Sequence, residues 1–192
     1  VPAIALGSAL PVLTANGASI DGTTQGGGMV RVSGAAGSES VIDVQGSGAM
    51  VKGLVIDGTG NGVVVGGAGA TVEGNKIGVD PSGGSAVDGL QFGVYVRPSG
   101  SGAVVTENQI VAEVGVGVRA PASNVSDNLI GVDSAGATSL GTVTGGVVTD
   151  GSGMPAFVQT VTSDDPVIFD ATDADGCGVS VRVEEQRTDG EP

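Results

Sequence analysis

Histidine and tryptophan are absent from this chain of 192 residues, and cysteine occurs once, as Cys177. Without histidine the chain can form neither a Ser-His-Asp triad, nor a Cys-His pair, nor a zinc site with histidine ligands. A single cysteine forms no internal disulfide and no thiolate metal cluster. These absences exclude the histidine-dependent hydrolases and the common structural zinc sites.

Basic residues are also scarce: 7 Lys and Arg stand against 21 Asp and Glu, for a net charge of −14. Binding of DNA or RNA requires clustered basic side chains that neutralise phosphates, so we expect no nucleic-acid partner. No apolar run approaches the roughly 18 residues of a membrane-spanning helix, so we expect no membrane insertion.

The chain begins Val-Pro without a secretion signal. We interpret it as a processed protein or a fragment, for which a missing signal is no argument against secretion.

What the sequence has instead is glycine, 37 of its 192 residues, and a repeated pattern of short strands. One motif, Val-x-x-Asn-x-Ile, begins at Val72, Val105 and Val125, and a weaker copy without asparagine begins at Val51. A second motif, Gly-Val-x-Val or Gly-Val-x-Thr, follows each copy, at 62–65, 93–96, 115–118 and 146–149. Short Val and Ile runs separated by Gly, Asn and Ser are typical of strands, and no helical period is visible.

The two motifs combine into a longer unit of 53 residues. This spacing separates Val72 from Val125, and it separates the segments 75–83 and 128–136, which match at six of nine positions. Two kinds of coil therefore alternate along the chain. One kind carries an extra loop, at 80–91 and 133–145, and the other does not.

A constant register of residue types predicts coils that stack on one another, because a single coil cannot bury its own apolar face. We therefore predict an all-β fold, a right-handed single-stranded parallel β-helix (a solenoid) of about six or seven coils with a β-rich C-terminal cap. An antiparallel sandwich is the alternative, but it does not require a constant register. The β-helix is expected over residues 1–150, C-terminal coil or cap strands over 151–183, and an acidic disordered tail over 184–192.

Two stretches carry a resemblance to a known family. They are Thr-Ala-Asn-Gly-Ala-Ser-Ile-Asp-Gly-Thr-Thr-Gln, from residue 14, and Gly-Asn-Lys-Ile-Gly-Val-Asp-Pro-Ser-Gly, at 74–83. Both resemble the right-handed parallel β-helix repeats of large secreted bacterial surface proteins, within the pectate-lyase-like superfamily. The resemblance implies an extracellular, cell-surface or virion-surface location. It selects no function, because the superfamily includes lyases, hydrolases, phage tailspikes, adhesins and structural stalks.

The asparagines of the first motif, Asn75, Asn108 and Asn128, occupy the same place in three coils. A polar ligand site is one interpretation of this column. The interpretation we favour is an internal ladder, in which each side-chain amide bonds the next coil and satisfies backbone groups at the corner.

Five residues after each of these asparagines stands an acidic residue: Asp80, Glu113 and Asp133. In stacked coils the three carboxylates are expected about 4.8 Å apart, where like charges repel. A bound Ca²⁺ can compensate the repulsion, which makes these residues a candidate metal site. The alternative is that each acidic side chain caps its own turn.

Other candidate ligand or interface residues follow from the same register. Arg97, Arg119 and Asp150 follow the second motif in different coils. Two stacked arginines can bind a carboxylate or a sulfated sugar, whereas an ion pair between Arg119 and Asp150 is the alternative. The two extra loops leave the same corner and are expected to project side by side as a ridge. Leu90 and Leu140 are the large apolar residues expected on that ridge.

These observations favour a non-catalytic extracellular structural or adhesive β-solenoid that acts as a stalk, a fibre or an assembly subunit. No amphipathic helix precedes the first coil, so its open end is expected to drive self-association or contact with other segments of a larger surface assembly. The alternatives are a glycan- or protein-binding module and a polysaccharide lyase or hydrolase. For the enzymes, histidine motifs such as Gly-His-Gly are missing, and Phe92 and Tyr95 are the sole aromatic residues in the repeats.

Overall fold

The computed structural model describes residues 1–26, 28–141 and 145–149, together with the backbone of three further strands up to residue 183. The described elements are eighteen short strands and one 3-10 turn at Gly22–Thr24. The strands are β1 Ala3–Ala5, β2 Ser19–Asp21, β3 Val30–Ser33, β4 Ser40–Val44, β5 Met50–Lys52, β6 Leu54–Asp57, β7 Gly60–Val65, β8 Thr71–Glu73, β9 Lys76–Ile77, β10 Leu90–Val96, β11 Val104–Thr106, β12 Gln109–Ile110, β13 Val114–Val118, β14 Asn124–Ile130, β15 Gly145–Thr149, β16 Phe157–Ser163, β17 Ile168–Phe169 and β18 Val181–Val183.

Every pairing between these strands is parallel, and the strands between the first and last coils pair with strands of the preceding and following coils, as a solenoid requires. One sheet has the order β17-β15-β13-β10-β7-β4, and the bridge between Leu13 and Val44 extends it to the first coil, so seven coils stack. The second sheet curls around the remaining two sides of the stack, with the long strand β14 joining the two sides. The predicted parallel β-solenoid and its number of coils are confirmed.

The register deduced from the repeats is also confirmed. Val105 pairs with Val72 on one side and with Val125 on the other, as the first motif predicts. In the second motif Val94 pairs with Val63 and Val116, and Val116 pairs with Val147. Because equivalent residues stack directly, the 53-residue unit amounts to two coils of the solenoid.

The core of the solenoid consists of three columns of apolar side chains, one from each side of the coil. The isoleucine column is Ile4, Val32, Ile56, Ile77, Ile110 and Ile130; the second column is Leu13, Val44, Val65, Val96 and Val118; the third column is Ile20, Val51, Val72, Val105 and Val125. From the third coil onward these side chains are almost fully buried. Each such side chain contributes about 1.5–3 kcal/mol through the hydrophobic effect.

The glycine that opens the second motif makes room for the isoleucine column. A Cβ atom added to Gly62 would lie 2.7 Å from Cγ2 of Ile77, and one added to Gly115 would lie 2.5 Å from Cγ2 of Ile130. Each of these Cβ atoms would also approach the backbone oxygen of the next coil, at 2.6 and 2.5 Å. The interior is therefore too narrow for a side chain opposite each isoleucine. This explains why the second motif has a glycine directly before its valine.

A second use of glycine lies at one corner of the coil, where the backbone is left-handed. The residues at this corner are Gly17, Gly48, Gly69, Gly102 and Ala122, with φ between 56° and 72°. The N–H of Gly69 donates to the Ser101 carbonyl of the next coil at 2.8 Å, and the glycines before and after it do the same. Glycine adopts this conformation at low cost, so the corner repeats with little variation.

The C-terminal strands continue the stack. Strand β16 pairs with β14 from Asn124↔Phe157 to Ile130↔Ser163, β17 pairs with β15, and β18 pairs with β16. All three strands lie within 151–183, the range for which the sequence predicted C-terminal coil or cap strands. The tail predicted at 184–192 lies outside the described residues.

Candidate functional site

The two extra loops have the same fold. Each loop closes on itself through an antiparallel bridge, Val79 with Ala86 in the first loop and Val132 with Ser139 in the second. The bridged residues are again 53 positions apart. The similarity of the loops is therefore a property of the repeated sequence.

The carboxylates of Asp80 and Asp133 hold these loops together from inside. Oδ1 of Asp80 accepts hydrogen bonds from the backbone N–H of Gly84 at 2.9 Å and of Ser85 at 3.0 Å. Its Oδ2 accepts a hydrogen bond from the Ser82 hydroxyl at 2.7 Å. In the second loop Oδ1 of Asp133 accepts N–H bonds from residues 135 and 137, at 3.1 and 2.9 Å. The turn-capping interpretation of both residues is confirmed.

These hydrogen bonds favour the ionised carboxylates. The Ser82 hydroxyl, and after it the backbone N–H groups of Ser85 and Gly84, lower the pKa of Asp80 to about 2. The pKa of Asp133 is lowered as well, first by the N–H of Ala137. At neutral pH both carboxylates are therefore ionised, and each stabilises its loop by accepting these hydrogen bonds.

The lowered pKa of Asp80 gives a testable pH dependence. Because the pKa in the folded state lies below the unfolded value, this carboxylate stabilises the loop above about pH 4 and loses that effect as the pH falls through 2. In an NMR titration we expect the Asp80 carboxyl and the amides of Gly84 and Ser85 to shift together with a midpoint of about 2. In the Asp80→Asn variant the two amides should lose this transition. A midpoint near the ordinary value of 3.8 would contradict the assigned hydrogen bonds.

The predicted calcium site of Asp80, Glu113 and Asp133 is not assembled. Within the part of the chain that the structure describes, no three acidic side chains form a group that could hold a metal ion. The reason is the alternation of coils: Asp80 and Asp133 turn into their own loops, whereas Glu113 belongs to a coil without a loop. Glu113 is exposed and lines, with Asp88, an open cleft of about 490 Å³.

The two loops lie side by side, as the sequence predicted. The N–H of Ser134 in the second loop donates to the carbonyl of Gly83 in the first at 3.1 Å. Gln109, from the coil between them, is 5% exposed, and its Nε2 donates to Gly83 O at 2.7 Å and to Val132 O at 3.0 Å. Sequence reasoning missed this residue. The repeats gave no signal for it, because the residue that follows the asparagine differs in each copy of the motif.

The leucines expected on the ridge do not form it. Leu90 is the first residue of β10, is 4% exposed and belongs to the core cluster, so its assignment as an interface residue is corrected. The loop already ends at Gly89, and Leu90 pairs with Gly60 of the previous coil, which turns it inward. Leu140 is half-buried, and its N–H donates to Gly131 O at 2.7 Å to close the base of the second loop.

Arg97 and Arg119 follow equivalent strands of successive coils. Arg97 binds acidic side chains of an earlier coil, nearer the N-terminal end of the solenoid. Its guanidinium forms an ion pair with Asp43 at 3.1 Å and a longer one with Glu39 at 3.6 Å. Asp43 pairs with Val64, which in turn pairs with Tyr95, so this ion pair spans two coils. Asp150, the expected partner of Arg119, lies outside the described residues.

The aromatic residues of the repeats form a shallow depression on the outer face of the solenoid. The rings of Phe92 and Tyr95 lie 5.1 Å apart at an angle of 46°. They pack over Gly117, where an added Cβ would meet the Phe92 ring at 2.7 Å. Arg119 and Val148 complete a depression of about 270 Å³. The rings shield a strand that has no side chain of its own at this point.

The asparagine column forms the predicted amide ladder. Oδ1 of Asn108 accepts hydrogen bonds from N–H and Nδ2 of Asn75, at 2.9 and 3.0 Å. Oδ1 of Asn128 does the same for Asn108, with both distances 3.0 Å. The three side chains are fully buried. Their amides are engaged with one another and with the backbone, which makes them structural rather than ligand-binding groups.

The first coil is the most exposed apolar region of the described chain. The large apolar side chains that are exposed among the described residues are Val1, Ile4, Leu10 and Val12, at 60, 53, 38 and 42%. All four belong to this coil, whose strands β1 and β2 are the two ends of the curled sheet.

Comparison with known proteins finds no matching family model, no similar curated protein and no similar solved structure. Over the described residues, there is no helix with the length and apolar character needed to cross a bilayer.

Proposed function

We propose that this chain is a non-catalytic structural β-solenoid that serves as a stalk, fibre or assembly subunit at a cell or virion surface. The observation that carries the proposal is the regular stack of coils, in which parallel strands and columns of equivalent side chains join each repeat to the next. The extracellular setting is supported by the resemblance of the repeat motifs to those of secreted surface proteins.

The regularity of the stack supports a mechanical role. Seven coils at about 4.8 Å per coil give a rod roughly 30 Å long, in which every coil contacts its neighbours through parallel strands. The three apolar columns also join the first five coils. The amide ladder and the ion pair of Arg97 with Asp43 add bonds along the rod axis. These contacts resist bending and are independent of any bound group.

Three side chains with the chemistry for a reactive site, those of Asp80, Asp133 and Arg97, are used structurally, which supports a non-catalytic role. The carboxylates of Asp80 and Asp133 accept hydrogen bonds within their own turns, and Arg97 is occupied by Asp43 and Glu39. A general acid or base needs a carboxyl group that can reach a substrate. These three candidates have their polar atoms engaged by the protein itself.

The proposal predicts self-association in solution. Light scattering of the purified chain across a range of concentrations should show an average mass that rises above 18.3 kDa, because association buries the exposed apolar side chains of residues 1–12. Added salt should strengthen the association by screening the net charge of −14. Negative-stain microscopy of the same samples should show elongated particles. A monomer at every concentration and salt level would overturn the proposal.

A further inference from the structure

The two extra loops belong to coils that are not adjacent. A coil without a loop lies between the coil of the first loop, 80–89, and the coil of the second loop, 133–139. Because successive coils are about 4.8 Å apart, the two loops leave the solenoid about 10 Å from each other. A backbone hydrogen bond joins them, from the N–H of Ser134 to the carbonyl of Gly83 at 3.1 Å.

The space between the loops is filled by Gln109, from the middle coil. Its Nε2 donates to Gly83 O in the first loop at 2.7 Å and to Val132 O, at the start of the second, at 3.0 Å. A Cβ atom added to Gly83 would overlap Oε1 of Gln109, so glycine is what lets the first loop approach this closely. Oε1 has no hydrogen-bond partner among the described residues. The polar contribution of this buried side chain therefore comes from its two N–H groups.

The two loops are held to the solenoid unequally. Lys76 lies in the coil of the first loop, and its Nζ donates to Pro81 O in that loop at 2.7 Å. Lys76 pairs with Gln109, and Gln109 pairs with Leu129, which is the equivalent residue in the coil of the second loop. A leucine side chain has no hydrogen-bond donor. The second loop therefore depends on Gln109 more than the first loop does.

We infer that Gln109 couples the two loops, so that the ridge they form opens and closes as one unit. When the first loop opens, Gly83 O leaves the Gln109 amide, and the side chain loses the position from which it donates to Val132 O. Opening of the first loop therefore raises the population of the open second loop. Coupling between two sites typically changes such an equilibrium by about 5- to 150-fold. The inference goes beyond the proposed structural role, because it holds for a single chain as well as for an assembly.

Hydrogen exchange followed by NMR tests the coupling, because local opening exposes amides to exchange. The N–H of Ala137 donates to Asp133 Oδ1 and reports on the second loop. Asp80→Ala removes the carboxylate that holds the first loop together, and we expect it to speed exchange at Ala137 by at least about 5-fold. Gln109→Met keeps the length of the side chain but has no N–H donor. In that background, Asp80→Ala should change exchange at Ala137 by less than about 2-fold.

Two single variants test the unequal support of the loops. Gln109→Met alone should speed exchange at Ala137 more than at Ser85, whose N–H donates to Asp80 Oδ1 in the first loop. Lys76→Met loosens the first loop without altering its carboxylate and should also speed exchange at Ala137. An equal response of both loops to Gln109→Met would contradict the dependence of the second loop on this side chain.

The matched control is Gln45→Met, which makes the same substitution at an exposed glutamine outside the ridge and should leave exchange in both loops unchanged. Circular dichroism of each variant establishes that the solenoid is folded. If Asp80→Ala leaves exchange at Ala137 unaltered, the loops are independent and the inference is wrong. If its effect keeps its full size in the Gln109→Met background, Gln109 only fills space, the coupling passes through the bond between Ser134 and Gly83, and the inference is equally wrong.

Discussion

Gly93→Ala is expected to lower the free energy of unfolding by about 3 kcal/mol. A Cβ atom at this position would overlap Cγ2 of Ile110 and would lie 2.8 Å from the backbone oxygen of Gly115. Ile110 is fully buried in the isoleucine column, and Gly115 belongs to the paired strand of the next coil. Neither group can move without disturbing the coils stacked on both sides. Urea unfolding followed by circular dichroism measures the loss.

Gly69→Ala is the matched control for this substitution. Gly69 lies at the left-handed corner with φ of 65°, and a Cβ atom there meets no atom within 4 Å. Its replacement should cost about 1 kcal/mol, from backbone strain alone. If Gly93→Ala costs no more than this, the interior is wide enough for a methyl group and the explanation of the Gly-Val motif is wrong.

A double-mutant cycle with Ile110 locates the clash. Ile110→Ala alone removes a buried side chain and should cost about 3 kcal/mol. Because it also removes the atom that an alanine at position 93 would strike, the double variant should be at least about 1 kcal/mol more stable than additivity predicts. Strict additivity would assign the cost of Gly93→Ala to the backbone contact with Gly115.

The stack was predictable from the sequence because every coil must place residues of the same kind at the same buried positions. Val72, Val105 and Val125 fill equivalent places in one core, so the sequence cannot change there without losing buried area. The same holds for the asparagine column, where a buried amide needs a partner in the next coil. A pattern that packing imposes on every coil can be read by counting residues.

The candidate site was less predictable because its residues lie in or beside the extra loops, which only some of the coils carry. Glu113 and Asp80 both lie five residues after an asparagine of the first motif. Asp80 is followed by a loop into which its carboxylate turns, whereas Glu113 is not. Counting also put Leu90 in a loop, whereas its pairing with Gly60 makes it the start of a strand. The bonds of Gln109 to the two loops have no equivalent in other coils, so no repeat could indicate them.

Asn108→Ala is expected to destabilise the solenoid by about 4 kcal/mol. Asn108 is the middle residue of the amide ladder. Its Nδ2 lies within 3.0 Å of the carbonyl oxygens of Val72 and Thr106 and of Oδ1 of Asn128, and its Oδ1 accepts two bonds from Asn75. Alanine would leave buried groups of three coils without partners, each at a cost of about 1–3 kcal/mol. Asn61→Ala is the control, since Asn61 is half-buried and its Nδ2 donates one bond, to Glu39 O at 3.0 Å.

The Asn108→Asp variant distinguishes a change in hydrogen bonding from a change in side-chain size, because aspartate has nearly the size of asparagine but carries a charge. Asn108→Asp keeps the size of the side chain but turns a carboxylate toward three oxygen acceptors in a buried site. Burial raises the pKa of a carboxyl group there above its unfolded value of about 4, so the ionised form is destabilising at neutral pH and the penalty disappears as the group is protonated. Relative to the unmodified chain, Asn108→Asp should therefore be least stable near pH 7 and should recover as the pH falls toward 4. Urea unfolding at several pH values measures this difference. A destabilisation that does not vary with pH would mean that the carboxyl group has the same pKa in the folded and unfolded states, and the buried, acceptor-lined surroundings assigned to Asn108 would be wrong.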